Sequence, residues 1–185
     1  MDILSHGLWA GAVCKAINKK TKKPLNIKIA AFWGIFPDIF AFAAPFIWLF
    51  WNLIFGGMSL SDIPRADEIE PLPQDTLPIF KLTSLLYSVS HSAIVFLFIF
   101  AAVYFVFRRL VWELGGWFLH IILDIPTHSY QFYPTPFLWP VSDWKFSGFL
   151  WTELWFLIPN YAVLIIIFLF LRKKTKAAVN KTACQ

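Results

Sequence analysis

Three apolar stretches dominate the chain: Ile27 to Phe55 carries only Lys28, at its edge, and Asp38, while Ile94 to Phe107 and Ala162 to Leu171 carry no charge. About 20 apolar residues rising 1.5 Å each cross the roughly 30 Å of hydrocarbon in a bilayer, so each neighbourhood can supply a span. The pattern predicts helices over about Leu4 to Ile17, Ile27 to Phe55, Pro78 to Phe107, Leu110 to Leu123 and Gly148 to Leu171. The first is short for a span. The second is expected to be interrupted at Gly34, Pro37 and Pro45, because such residues kink helices or free backbone groups. A mid-membrane break is tolerated only against protein or a wet cavity. In the third, Ser84, Ser88, His91 and Ser92 recur at helical spacing and mark a polar face expected to look into the bundle. The fourth should stop near Pro126, with a Pro- and aromatic-rich segment following.

Composition agrees with that pattern. Of 185 residues 58% are hydrophobic, 19% aromatic and 15% charged, more apolar surface than a soluble domain of this length can hide. The expected fold class is therefore all-α: a polytopic membrane helical bundle of about four to five helices, forming a single integral membrane domain over 1–185. Met1 to Val13 lacks the basic residues that precede the apolar core of a signal peptide, so the N-terminal segment is expected to be retained. Cys14 and Cys184 lie in no CxxC pair and read as reduced thiols. Trp139, Trp144, Trp151 and Trp155 sit near predicted helix ends, as an interfacial aromatic belt would. No internal repeat, Gly-rich phosphate loop or basic nucleic-acid stripe is present.

The net charge of +5 is strongly segregated. Six lysines between Lys15 and Lys28, then Arg108 and Arg109, then five basic residues after Leu171 account for thirteen of the sixteen. The positive-inside rule puts these segments, including the tail at about 172–185, in the cytoplasm of a multi-pass protein of the inner (cytoplasmic) membrane. The acidic loop at about 56–78 and the segment Ile125 to Ser147 then fall outside.

An ionisable group in the middle of a bilayer costs at least about 2.5 to 3.5 kcal/mol and is a functional candidate by default. Here the candidates are His6, Asp38, His91, His120, Asp124 and His128, with Glu153 and Glu113 nearer the boundaries; all four histidines are among them. Counted from the nearest basic cluster along straight helices, His6, Asp38, His91, His120 and Asp124 lie at roughly 14, 15, 26, 17 and 23 Å. Five groups from four helices thus share one slab. His120 and Asp124, at i and i+4, project from one helix face and can reach one ion, or two bridged by the carboxylate. A hydrogen-bonded His–Asp pair tying helices together is the alternative for that motif alone. Imidazole and carboxylate suit zinc, manganese or iron, and with no cysteine nearby a structural thiolate site is not expected. Glu153 reads either as a further ligand or base, or as a partner for Lys145. Glu113, at i+4 from Arg109, reads as an ion pair at the cytoplasmic edge.

The opening D-I-L-S-H-G-L-W-A-G-A, the F-P-D at Phe36 to Asp38, the S-H-S at Ser90 to Ser92, the H-I-I-L-D-I-P-T-H at His120 to His128 and the W-P at Trp139-Pro140 together resemble the YdjM-like family of membrane-bound metal-dependent hydrolases. The likeness runs in order over nearly the whole chain. The same order resembles the zinc-dependent phospholipase C and single-strand nuclease superfamily, implying a phospholipase C/nuclease-like helical core. On that likeness Asp38, His91, His120 and Asp124 hold one ion, Asp124 bridges to a second held by His6, and His128 serves a third. The implied cofactor is one to three divalent ions, zinc foremost. The implied function is hydrolysis of a phosphoester, lipid or envelope-associated, by metal-activated water, with Asp38 or Glu153 as base. Membrane lipid and a small-molecule or lipid phosphoester would be the partners, and no nucleic acid is expected. Buried His and Asp beside a Pro-interrupted helix also describe a small transporter or ion pathway, and a polar network can serve a non-catalytic scaffold.

Overall fold

The computed structural model describes residues 1–59, 78–130 and 133–182. Among the described residues it is all-helical, with α1 Ile3–Asn18, α2 Ile27–Phe55, α3 Pro78–Ser90, α4 Ala93–Phe107, α5 Gly115–Thr127 and α6 Leu154–Thr182, and a 3₁₀ turn at Trp112–Leu114 before α5. Local chemistry sets the starts. Asp2 Oδ1 accepts from the Ser5 N–H at 2.9 Å and caps α1, Asn26 Oδ1 accepts from Lys28 and Ile29 to cap α2, and Ser92 Oγ accepts from Val95 to cap α4. Between α1 and α2 the Asn18 amide exchanges two hydrogen bonds with Leu25, fixing the lysine-rich turn.

Helix α2 is the axis of the bundle, packed by α1, α3 and α5, with α6 against α1 and α4 against α5. Two glycines allow the closest approaches. A Cβ on Gly34 would lie 2.7 Å from Ala10 Cβ and 2.8 Å from the His6 carbonyl oxygen, and one on Gly116 would come 3.0 Å from the Gly34 nitrogen. Contact at that range is what lets α1, α2 and α5 bring side chains to one point. Beside it Phe96, Leu114, Trp117 and Ile121 form an apolar core, with Trp33 stacked on Trp117 at 6.0 Å between ring centroids.

Helices α2 and α6 are long and apolar enough to cross a membrane, and the pair α3 and α4 makes a third such segment if it is one bent span. Only 11% of the apolar window of α2 and 17% of that of α6 are buried within the chain, so lipid or another apolar partner must cover the rest. The basic segments gather at one end: the Lys19 ammonium donates to the Leu171 carbonyl at 2.8 Å, and Lys23, Arg108 and Arg109 line one cavity.

Several expectations need correction. The predicted helix Pro78 to Phe107 is two helices meeting at 59°. The chain leaves helical geometry at His91, where Ser92 caps the new helix and the Ala93 N–H turns to the Phe137 carbonyl at 2.9 Å. The interruption expected in α2 does not occur, because the helix continues through Pro37 and Pro45. Helix α5 begins at Gly115 rather than Leu110 and runs past Pro126 to Thr127, and α6 begins at Leu154 rather than Gly148. The Gly148 and Phe149 N–H groups instead donate to the carbonyls of His128 and Pro126 at the end of α5. Helix continues beyond Leu171 to Thr182, within the predicted tail. Cys14 is a free buried thiol, whereas Cys184 and most of the acidic loop, 60–77, lie outside the described residues.

Gly34→Ala should destabilise the protein by about 1–3 kcal/mol, because the methyl must push α1 off α2, whereas Gly115→Ala, whose Cβ meets nothing within 4 Å, should not. Thermal unfolding in detergent compares the two.

Candidate metal centre

Asp124 sits at the middle of the bundle, completely buried. One turn to either side on the same face of α5 are His120, whose Nε2 is 3.1 Å from Asp124 Oδ2, and the helix-capping His128, whose Nε2 is 3.3 Å from Oδ1. The other elements converge on this carboxylate. His91, freed by the break between α3 and α4, puts Nε2 3.4 Å from Oδ2. His6 of α1 puts Nε2 2.8 Å from Oδ1, and the α-amino group of Met1 rests on the same oxygen and lies 2.8 Å from His128 Nε2. Asp38 of α2 completes the Oδ2 side, its Oδ1 3.5 Å from His91 Nε2 and 3.6 Å from His120 Nε2.

The backbone dictates which way the imidazoles face. His120 Nδ1 lies 2.7 Å from the Gly34 carbonyl, His91 Nδ1 3.1 Å from the Tyr87 carbonyl, and His128 Nδ1 3.0 Å from the Tyr133 carbonyl. A carbonyl only accepts, so each Nδ1 carries the proton and each Nε2 turns inward, the arrangement of metal-ligating histidines. Ser90 Oγ joins this support, donating to the Pro37 carbonyl and lying 2.9 Å from His91 Nδ1. The Trp117 indole donates to the Ser90 carbonyl at 2.6 Å.

The inward-facing atoms fit a cation. His91 Nε2 and His120 Nε2 are 3.0 Å apart, and neither has a proton to offer the other while both rings are neutral. Among the described residues Asp38 Oδ2, Asp124 Oδ2 and His6 Nδ1 are buried without a hydrogen bond, and His6 Nε2 faces only the Asp124 carboxylate. A buried polar group left unsatisfied costs about 1–3 kcal/mol, and more when charged. Asp38, His91, His120 and Asp124 can hold a metal ion: one ligand atom from each lies within 4.8 Å of all the others. Five of the six edges of that set are 3.0 to 3.6 Å. Bonds of 2.0–2.1 Å in a tetrahedron require edges of about 3.3–3.4 Å. Two carboxylates also supply the charge that balances a divalent ion. On the Oδ1 side, the Nε2 atoms of His6 and His128 face the same carboxylate at 2.8 and 3.3 Å, so two further imidazoles could meet a cation there.

All six metal-site residues expected from the sequence therefore meet at one buried point. Glu153 does not join them: it is exposed just before α6 and lines a surface cavity with Ser129, Ser147 and Trp155. Glu113 forms no ion pair with Arg109 among the described residues; its Oε1 accepts from the Asn26 N–H at 3.1 Å and fastens the start of α2. The sequence reading passed over the supports. Tyr87, four residues before His91, stacks on its ring at 3.7 Å and donates to the Tyr133 carbonyl at 2.8 Å. Tyr133 holds φ 40°, a conformation a bulky residue adopts only when its surroundings impose it. Asn160, a lone amide in the apolar run of α6, donates to Ser5 Oγ at 2.8 Å, while its Oδ1 accepts from the Trp9 indole. An amide inside so apolar a helix was the signal.

No protein-family profile, curated protein or solved structure matches this chain.

Protein purified in detergent without chelators should carry stoichiometric divalent metal by plasma mass spectrometry. Asp124→Asn and His91→Ala should each lose it with helicity retained, and Glu153→Gln should keep it. A wild type free of metal, or full occupancy in Asp124→Asn, would contradict the assignment.

Proposed function

We propose that the chain is a membrane-embedded, zinc-dependent hydrolase of a phosphoester borne by a lipid or envelope molecule. The observation that carries this reading is the buried set Asp38, His91, His120 and Asp124, with tetrahedral spacing and backbone-anchored imidazoles, whose shared carboxylate faces a second cation position. The ordered likeness to the YdjM-like family and to the phospholipase C and nuclease superfamily points the same way. Divalent metal held there supplies a Lewis acid for the phosphoryl oxygen and brings the pKa of water toward 7.

The protein's own groups do the rest. Asp124 would help hold the metal, its Oδ2 lying beside the Nε2 atoms of His91 and His120 and its Oδ1 beside that of His6. Asp38, whose Oδ2 is buried with no hydrogen bond among the described residues, takes up the proton released as water adds to the ester. The segment from Tyr133 to Phe149 is tied to the start of α4 through the Phe137 carbonyl and to the end of α5 through the Gly148 and Phe149 N–H groups, and both carboxylates are buried. With Glu153 exposed at the surface, Asp38 is the stronger choice for the base. The gathering of basic segments at one end supports a multi-pass orientation with that end, and the C-terminal helix, in the cytoplasm.

The test is turnover of a panel of phosphodiester and phospholipid substrates by the metal-loaded protein. Asp124→Asn and His91→Ala should lower the rate by roughly 10²-fold or more, and a chelator should abolish activity until zinc is restored. Metal-loaded wild type that hydrolyses none of the panel yet carries ions across vesicles would return the ion-pathway reading.

A further inference from the structure

A cavity of about 1120 Å³ lies at the basic end of the bundle, away from the metal centre. That is just beyond the range of about 300–1,000 Å³ typical of ligand pockets. Its walls are apolar, with Val13 and Ile17 from α1 and Phe118, Leu119 and Ile122 from α5. Ala10, Ala30 and Gly116 form its floor, each one helical turn from His6, Gly34 and His120. There α2 and α5 touch, since a Cβ on Gly116 would come within 3.0 Å of the Gly34 nitrogen. The cavity is thus separated from the metal centre.

Its mouth has the opposite chemistry. Lys23, Arg108 and Arg109 line it, all exposed, and none pairs with an acid among the described residues. The acid in the same wall, Glu113, is engaged by the Asn26 N–H. Tyr104 and Trp112, 43% and 58% exposed, stand beside these cations, as aromatic side chains do at a membrane–water boundary. Arg108 closes α4 at φ 53°, a left-handed conformation rare outside glycine, which sets both arginines at the mouth instead of one turn further along a helix. An apolar chamber ending in three cations at interfacial depth matches an amphiphile with an anionic head. A free anion has no use for the apolar lining.

We propose that this cavity binds one anionic phospholipid, with an acyl chain against the α1 and α5 walls and the phosphate at Arg108, Arg109 and Lys23. The site is independent of the hydrolase reading, and its test involves no metal. Native mass spectrometry of the full chain in detergent, with equimolar phosphatidylglycerol and phosphatidylcholine, should show one phosphatidylglycerol retained in preference. Arg108→Gln with Arg109→Gln should cut that preference about thirtyfold, at about fivefold for each interfacial charge. Gly115 lines the cavity with open space where a Cβ would be. Gly115→Leu should therefore exclude both lipids while melting no lower than wild type, and Gly115→Ala should retain binding. Equal retention of the two lipids by wild type overturns the proposal. So does wild-type retention by folded Gly115→Leu, or displacement of the lipid by millimolar inorganic phosphate. If Gly115→Leu fails to fold, the exposed arginine pair still decides the matter.

Discussion

A carboxylate with no access to water is the constraint around which this protein is arranged. Asp124 is fully buried, and its two oxygens face four imidazoles and an amine. In a low-dielectric interior such a charge persists only with a cation beside it. Three imidazoles are held by backbone carbonyls with Nε2 directed inward, so the pocket supplies lone pairs as well as negative charge. A second buried carboxylate, Asp38, adds to the same demand. Protonated histidines can meet it with hydrogen bonds, but among the described residues that leaves Asp38 Oδ2 and His6 Nδ1 without partners. Divalent metal meets it with the spacing already present.

The helices follow from that point outward. His120, Asp124 and His128 need one face of a helix, and α5 keeps them in register past Pro126. His6 can reach Oδ1 only if α1 lies against α2, which Gly34 permits. His91 arrives from a helix that ends at the site, its ring clamped between the Tyr87 ring and the Ser90 hydroxyl. Bulk packing is light around this arrangement, and most of the apolar surface of α2 and α6 faces outward. Polar convergence and close helix contact, more than a large apolar core, define the interior.

The sequence carried more of the site than of the fold. Depth along the apolar runs brought His6, Asp38, His91, His120 and Asp124 into one layer because a helix converts residue number into height at a fixed rise. His128 entered as an ionisable residue just after Pro126 and through the family likeness. The break was harder to place. Pro37 and Pro45 are the residues expected to interrupt a helix, yet α2 absorbs both, while at the actual bend at His91 and Ser92 the Ala93 N–H turns to the Phe137 carbonyl 44 residues beyond it. No local propensity encodes such a partner. Glu153, near the outer boundary, was open to a site role or a surface one; it stands exposed before α6, and Gly148 and Phe149 upstream of it pair with the end of α5 instead of continuing the helix. The roles of the Tyr87 and Gly34 carbonyls were illegible because they are backbone groups, which every residue possesses.

The most direct test of the central claim is X-ray absorption at the zinc edge of protein purified in detergent without chelators and loaded with zinc. The account predicts a first shell of nitrogen and oxygen at about 2.0–2.1 Å with the outer-shell scattering of at least two imidazoles, lost in Asp124→Asn. A sulfur shell at about 2.3 Å, or a spectrum of hydrated zinc without imidazole features, would contradict it.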